Sequence, residues 1–233
     1  KPATEENIRA VRELSQSGFK RFFLDDDFRL ATGPGVIGGC FCDEHKTAFL
    51  DKYGYAEKDW EVLLGSVRNR KPTAILKSWL NDVCDQLTAC FRAQKKAIPD
   101  AELGNMVMYL GAEKAGIRLE DYRGAPLRVG ELMFDDASFG TVRNKTEELF
   151  SALFHRRFVS PELAFSETPS FPANGLSARN MAAKLAVSTI SDIRNTMFMS
   201  GITPFPMEHW SILPPAIKKH AALPGNLAGH VRR

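Results

Sequence analysis

Five short apolar segments alternate with helical segments along the chain, and this alternation is what most restricts its fold. Each apolar segment leads into a turn rich in polar groups. The five segments are "RFFLDD" (21–26), "GNMVMYLG" (104–111), "PLRVGELMF" (126–134), "ELAFSE" (162–167) and "RNTMFMSG" (194–201). Strands that alternate with helices pair in parallel through right-handed crossovers. The sequence therefore predicts an α/β fold, either an open sheet or a barrel.

Helical spacing of apolar residues predicts what lies between these strands. Gly54 is expected to separate two short helices, and a proline after the long helix marks its end. The expected helical segments are 4–18, two short helices within 43–65, 72–96, 142–154 and 176–190.

Composition and charge exclude several classes of protein. With 233 residues, 44% of them hydrophobic, the chain can bury a sizeable core. The formal charge is +3 and the basic residues are scattered except in the terminal "HVRR" (230–233), so nucleic acid is not expected as a partner. The apolar runs are far shorter than the roughly 20 residues of a membrane span. We expect a soluble protein without a membrane partner, and the sequence slightly favours the cytoplasm.

Phosphate-binding signatures do not directly follow any of the predicted strands. The sequence has no Gly-Lys-Ser/Thr, and its one Gly-x-Gly-x-x-Gly match, "GPGVIG" (33–38), stands several residues after the first predicted strand, so nucleotide binding loses its main support.

Acidic residues follow three of the predicted strands. They are Asp25, Asp26, Asp27, Asp135, Asp136 and Glu167. Since functional groups collect at the carboxyl ends of parallel strands, these acids could meet at one rim and serve as general acid and nucleophile. Aspartate is also common in turns and at helix starts, which is the simpler interpretation. Glu167 is the strongest candidate because it ends an apolar strand and glutamate is not a usual turn former.

One stretch resembles a known family. "LDDDF" (24–28) followed by "GCFCDEHKTAFLDKYG" (39–54) is similar to the family 42 β-galactosidases and related retaining glycosidases of clan A. In these enzymes the end of strand four, of pattern Ile-Asp-Asn-Glu-Tyr, is followed by a Cys-x-Cys-x-x-Cys loop and a helix. The resemblance implies a (β/α)8 TIM barrel, of which this chain covers about strands four to eight.

The resemblance also implies how the chain is divided. Residues 1–205 would form a partial (β/α) barrel catalytic domain, and 206–233 a C-terminal extension. Five strands cannot close an eight-stranded barrel. We therefore expect strands one to three in an N-terminal barrel segment or a separate chain, or else completion by a partner such as another copy in a homo-oligomer.

The function implied by the resemblance is hydrolysis of a β-linked saccharide with retention. Asp27 then corresponds to the acid/base and Glu167 to the nucleophile at the end of strand seven. Two residues depart from the family pattern: Asp27 replaces a glutamate, and Asp26 replaces an asparagine that contacts the sugar. The shorter Asp27 leaves inversion open. Two other functions also stay open, a catalytically silent carbohydrate-binding barrel and a carboxylate-based metal-dependent hydrolase.

Further residues are expected to bind the oligosaccharide or glycoside substrate. Trp210 is the best candidate for stacking on a sugar ring. Arg29 and Arg128 could hold charged groups or balance the acids. The expected substrate-binding residues are Asp25, Asp26, Arg29, Tyr109, Glu131, Asp135, Asp136 and Trp210.

Cys40, Cys42 and His45 are three ligands of the types that suit tetrahedral zinc. The resemblance implies a structural zinc in this loop and no cofactor for the chemistry. A buried thiol pair beside a helix-start histidine is the alternative. Cys84 and Cys90 lie in the long helix, where buried thiols are expected rather than a disulfide.

Overall fold

A computed structural model describes residues 2–25, 27–33, 35–107, 110–130 and 135–223. Strands occur at all five predicted places. They are β1 Arg21–Leu24, β2 Glu102–Val107, β3 Leu127–Gly130, β4 Ala164–Pro169 and β5 Asn195–Met199. The strands form one sheet in the order β1-β2-β3-β4-β5, and the β2–β3, β3–β4 and β4–β5 pairs are parallel. The predicted α/β class with a parallel sheet is confirmed and is consistent with a partial (β/α) barrel.

The predicted helices are also present, together with two that the sequence did not indicate. The helices are α1 Pro2–Gln16, α2 Asp43–Tyr53, α3 Glu57–Arg68, α4 Ala74–Ala97, α5 Asp136–Phe139, α6 Val142–His155, α7 Ala178–Ile190 and α8 His209–Ala221. Short 3-10 turns cover Ala112–Ala115, Leu119–Tyr122 and Pro161–Leu163. The short α5 and the C-terminal α8 are the additions. None of the helices in the described ranges combines the length and the hydropathy that crossing a membrane requires.

The chain divides by contacts into two units, and the first comprises 1–22, 27–102 and 111–122. Its core is an aromatic cluster between α2, α3 and α4. Trp79 of α4 lies 5.1 Å from the ring of Phe49 and 5.7 Å from that of Trp60. Gly54 ends α2 in the left-handed conformation (φ 67°), as expected at a helix C-terminus.

The second unit comprises 23–26, 103–110 and 123–233. It contains a core cluster of Phe139, Leu176, Met181 and Leu213. Leu213 belongs to α8, so this helix packs into the same core as α5 and α7. His209 strengthens the attachment, because its Nε2 lies 2.9 Å from the carbonyl oxygen of Leu176.

Candidate functional site

The register of the sheet places two charged side chains on the same face. Arg128 of β3 pairs with Phe165 of β4, and Gly130 pairs with Glu167. Side chains alternate between the two faces of a strand. Arg128, Phe165 and Glu167 therefore share a face, and the ring of Phe23 from β1 contacts Phe165 there at 5.0 Å.

A chain of two ion pairs joins Asp25, Arg128 and Glu167. Nη2 of Arg128 donates a hydrogen bond to Oδ1 of Asp25 at 2.6 Å. Nε of the same guanidinium lies 2.6 Å from Oε2 of Glu167. The exposed fractions of the side chains are 68% for Asp25, 12% for Arg128 and 3% for Glu167. The structure thus brings two of the predicted acids onto one arginine.

Glu167 lies inside β4 rather than at its end. The strand continues through Thr168 to Pro169, and Glu167 pairs in register with Met197 of β5. Glu167 is 2% exposed, whereas Met197 is 36% exposed. The buried carboxylate therefore has an accessible thioether beside it on the same face of the sheet.

Arg128 has a larger place in the site than the sequence predicted, which was to hold charged groups or balance the acids. It stands in an apolar strand and is nearly buried. A charged residue in such a strand requires a partner, and this signal was available in "PLRVG" (126–130). The identity of its partners was not, because Asp25 is 103 positions away in the sequence.

The predicted acid/base, Asp27, is a surface residue of the first unit. Its side chain is 93% exposed and Oδ1 lies 3.6 Å from Nη2 of Arg29. Nε of Arg29 donates to the carbonyl oxygen of Ala31 at 3.2 Å. Arg29 therefore balances the charge of Asp27. Three other predicted residues, Asp26, Tyr109 and Glu131, lie outside the described residues.

Asp135 and Asp136 both accept hydrogen bonds at helix starts. Asp135 is the N-cap of α5 and accepts from the backbone N–H of Ser138 at 2.7 Å, which lowers the pKa of Asp135. Asp136 accepts from the backbone N–H of Ser177 and from Nδ2 of Asn180, each at 2.8 Å. Burial raises the pKa of Asp136, but these hydrogen bonds outweigh it and the net direction is downward. Substrate binding by the two acids stays a prediction.

Trp210, the candidate for sugar stacking, lies in α8 and is 56% exposed. A ring with that exposure has a face accessible to a ligand. Its role in substrate binding also stays a prediction.

Cys40, Cys42 and His45 come together as the spacing predicts. One potential ligand atom from each residue lies within 4.8 Å of the others. Sγ of Cys42 is 3.0 Å from Nδ1 of His45, because Cys42 is the N-cap of α2 and His45 lies in its first turn. The hydrogen bond to His45 is the main cause that lowers the pKa of Cys42 to about 7. This cluster could hold a metal ion.

Helix α4 fixes the loop that carries the two thiols. Nε1 of Trp79 donates to the carbonyl oxygen of Gly38 at 2.9 Å. The ring of Phe41 stacks on Trp79 with centroids 4.7 Å apart. Between them, Gly39 has a φ of +110°, and a Cβ there would lie 2.5 Å from the Trp79 ring. Glycine is therefore required at this close approach.

A cavity of about 270 Å³ lies in the second unit, between α7, the start of β5 and α8. Thr189, Asn195, Ile217 and His220 are among the residues that line it. Nδ1 of His220 lies 2.9 Å from Oγ1 of Thr189, and burial is the main cause that lowers the pKa of His220. The predicted site residues do not line this cavity.

Comparison with family models, with curated proteins and with solved structures gives no match to this chain.

Proposed function

We propose that the chain is the strand-four-to-eight part of a (β/α)-barrel glycoside hydrolase that cleaves a β-linked saccharide with retention. Glu167 is the nucleophile. Asp27, as the resemblance implies, is the acid/base. The observation that supports this proposal is the pairing of Glu167 with Arg128 at 2.6 Å. A cation at this distance favours the ionised carboxylate, and the ionised form is the one that can attack.

The proposed reaction has two steps. In the first, Glu167 attacks the anomeric carbon while Asp27 protonates the departing glycosidic oxygen. In the second, ionised Asp27 takes a proton from water, which attacks the glycosyl-enzyme ester and releases Glu167. Protonation of the departing oxygen matters most for poor leaving groups, so hydrolysis of aglycones of that kind should depend most on Asp27.

Exposure of Asp27 favours a second candidate function. A general acid is usually kept protonated by an apolar or acidic environment, whereas the Asp27 side chain is 93% exposed beside Arg29. This arrangement would suit a catalytically silent barrel that binds carbohydrate. The metal-dependent hydrolase has less support than these two functions, because Asp25 is paired with Arg128 and Asp136 accepts two hydrogen bonds.

The nucleophile is tested with Glu167→Gln, which keeps the shape of the side chain but cannot attack. We expect hydrolysis of activated aryl β-glycosides to be lost while the far-UV CD spectrum stays unchanged. Glu162→Gln makes the same change at a carboxylate that is 62% exposed, and it should retain activity. Added azide should restore turnover in Glu167→Ala. Azide would attack the anomeric carbon from the face opposite the leaving group and give the α-glycosyl azide.

The outcomes of this experiment separate the two candidate functions. Undiminished turnover by Glu167→Gln would exclude Glu167 as the nucleophile. Saccharide binding by the unaltered chain, without hydrolysis of any activated glycoside, would favour the silent barrel.

For the cysteine–histidine cluster we propose a structural zinc. Bonds of about 2.0 to 2.3 Å place tetrahedral ligands roughly 3.6 Å apart, which the separations within 4.8 Å can approach with small side-chain movements. Zinc binds the thiolate, and the lowered pKa of Cys42 supplies that form near neutral pH. The metal would brace the loop before α2.

Zinc content per chain tests this assignment. Cys42→Ser should lose bound zinc and unfold at a lower temperature than the unaltered protein. Cys90→Ser, which changes a half-buried thiol of α4, should keep the metal. Equal zinc content in the two variants would refute the assignment.

A further inference from the structure

The guanidinium of Arg128 is held from several sides. Nη2 contacts Asp25 and Nε contacts Glu167, each at 2.6 Å. The Phe23 ring lies 5.6 Å from the guanidinium carbon, within the range of a cation–π contact. Phe23 is itself packed against Phe165 at 5.0 Å. Rotation of the guanidinium would therefore break several contacts at once.

The two carboxylates on Arg128 differ in their environment. Glu167 has 3% of its side chain exposed and Asp25 has 68%. A buried carboxylate stays ionised only when a cation or hydrogen-bond donors compensate for lost hydration. An exposed carboxylate is hydrated whether or not it is paired. The pairing therefore matters electrostatically for Glu167, while Asp25 serves to hold the guanidinium in place.

Different nitrogens of the guanidinium make the two contacts. Because the group is planar and rigid, fixing Nη2 against Asp25 also fixes the position of Nε beside Oε2 of Glu167. A lysine at this position would supply charge without this fixed fork. The geometry thus links an accessible acid after β1 to the orientation of a buried acid in β4.

We propose that Arg128 is a positioning residue, anchored by Asp25, that holds Glu167 ionised and oriented for attack on the anomeric carbon. This proposal rests on the proposed glycosidase function. It also changes the expected role of Asp25: the carboxylate acts through Arg128 rather than by binding the sugar. Arg128 itself does not contact the substrate.

Steady-state kinetics on an activated aryl β-glycoside test the proposal. Arg128→Met should lower kcat by roughly 100-fold, the size of effect found when a preorganised electrostatic contact is removed. KM should change by less than about 3-fold, since ground-state binding is untouched. Arg128→Lys should recover part of kcat because it restores the charge. Asp25→Asn should lower kcat by about 10-fold, because it weakens the contact that holds Arg128 in place but keeps the pairing of Arg128 with Glu167.

Arg194→Met is the matched control. Arg194 is also shared by two acids of the same unit, Glu162 at 2.7 Å and Asp192 at 3.1 Å, but not by Glu167. Its loss should leave kcat within about 2-fold of the unaltered protein. If Arg128→Met behaved like this control, or raised KM without lowering kcat, Arg128 would not be a positioning residue.

A double-mutant cycle separates failure of this proposal from failure of the proposed function. Urea unfolding is compared for Arg128→Met, Glu167→Gln and the double variant. The urea midpoint of the double variant should fall by less than the sum of the two single falls, because no buried charge is then left unpaired. Additive effects would overturn the proposal whatever the activity. Coupling in a protein whose unaltered form hydrolyses no glycoside would instead reject the glycosidase function, and with it the positioning role.

Discussion

Two cysteines illustrate how much the surroundings of a single residue decide its chemistry. Cys42 is exposed and hydrogen-bonded to His45, and its pKa is lowered to about 7. Cys84 lies in α4, where burial raises its pKa to about 11. The reactive form of a thiol is the thiolate. At neutral pH only Cys42 of this pair therefore has a substantial reactive fraction.

Alkylation should separate these two thiols in the metal-free protein. We expect the rate of iodoacetamide modification at Cys42 to rise with pH through a midpoint near 7, while Cys84 remains unmodified. His45→Ala should move the midpoint upward, and added zinc should protect Cys42. Peptide mass spectrometry across a pH series measures this. A Cys42 midpoint that does not respond to His45→Ala would contradict the stated cause.

The sequence was enough to predict that the Cys–His cluster comes together, but not which partner each charged residue has. The cluster of Cys40, Cys42 and His45 is local, so spacing alone was enough to predict it. The pairing of Arg128 with Asp25 and Glu167 joins three separate strands or strand ends. Register between strands decides such contacts, and no local pattern contains it.

At the scale of elements, one carboxylate joins the starts of two helices. Asp136 is the first residue of α5, and it accepts hydrogen bonds from Ser177 and Asn180 at the start of α7. The partial positive charge at the start of α7 also favours an anion there. The contact therefore ties two segments that are distant along the chain.

Asp136→Ala should lower the free energy of unfolding by about 1 kcal/mol near pH 7, the usual contribution of such hydrogen bonds. The pKa of Asp136 is lowered in the folded state, so its contribution is present above the unfolded value of about 3.9. It is lost as pH falls through the lower folded value. Urea unfolding at several pH values should show the difference from the unaltered protein shrink below about pH 4. The exposed Asp100→Ala is the control, and an equal loss there would contradict the explanation.

Gly39 and Gly54 lie in the loops before and after α2, and their substitution distinguishes the cost of backbone strain from the cost of steric overlap. Gly54 has a φ of +67° and open space around its Cα, whereas a Cβ at Gly39 would overlap Trp79. Gly54→Ala should cost about 1 kcal/mol of stability. Gly39→Ala should cost roughly 1 to 3 kcal/mol more, because overpacking is added to strain. Urea unfolding of both variants gives the comparison, and equal losses would show that Trp79 moves aside freely.

Helix prediction succeeded where apolar spacing was regular, and it missed the four-residue α5 and the proline-containing α8. The long α4, predicted as 72–96, buries an apolar stripe that includes Trp79, Val83 and Phe91. Residues 206–233 were predicted only as a C-terminal extension. Helix α8 forms there although Pro214 and Pro215 lack the N–H that a helix interior uses. Leu213 of α8 nevertheless packs into the core cluster of the second unit.

On the scale of the whole molecule, the two units are interleaved along the chain. The first takes 1–22, 27–102 and 111–122, and the second takes the segments between and after them. No single cut of the chain separates them. The alternation of strands and helices was enough to predict the sheet and its parallel pairing, because sequential strands tend to be neighbours. The closed eight-stranded barrel stays a prediction, since five strands do not determine closure.

Helix α8 should be required for the stability of the second unit. Leu213 is 4% exposed in a cluster with Phe139, Leu176 and Met181. Leu213→Ala should lower the free energy of unfolding by about 2 to 5 kcal/mol through lost burial and a residual cavity. Ile212→Ala, at a neighbouring side chain that is 43% exposed, should have a much smaller effect. Thermal unfolding of both variants measures the contrast, and equal effects would mean that α8 contributes little.

The register that places Met197 beside Glu167 also supplies a chemical reporter. Peroxide converts an accessible thioether to the sulfoxide, and buried sulfur reacts slowly. Met197 is 36% exposed, while Met207 is 82% exposed and serves as an internal reference. A saccharide seated over Glu167 should slow oxidation of Met197 relative to Met207. Footprinting of this kind would reveal occupancy of the sheet face even in a variant that no longer turns over.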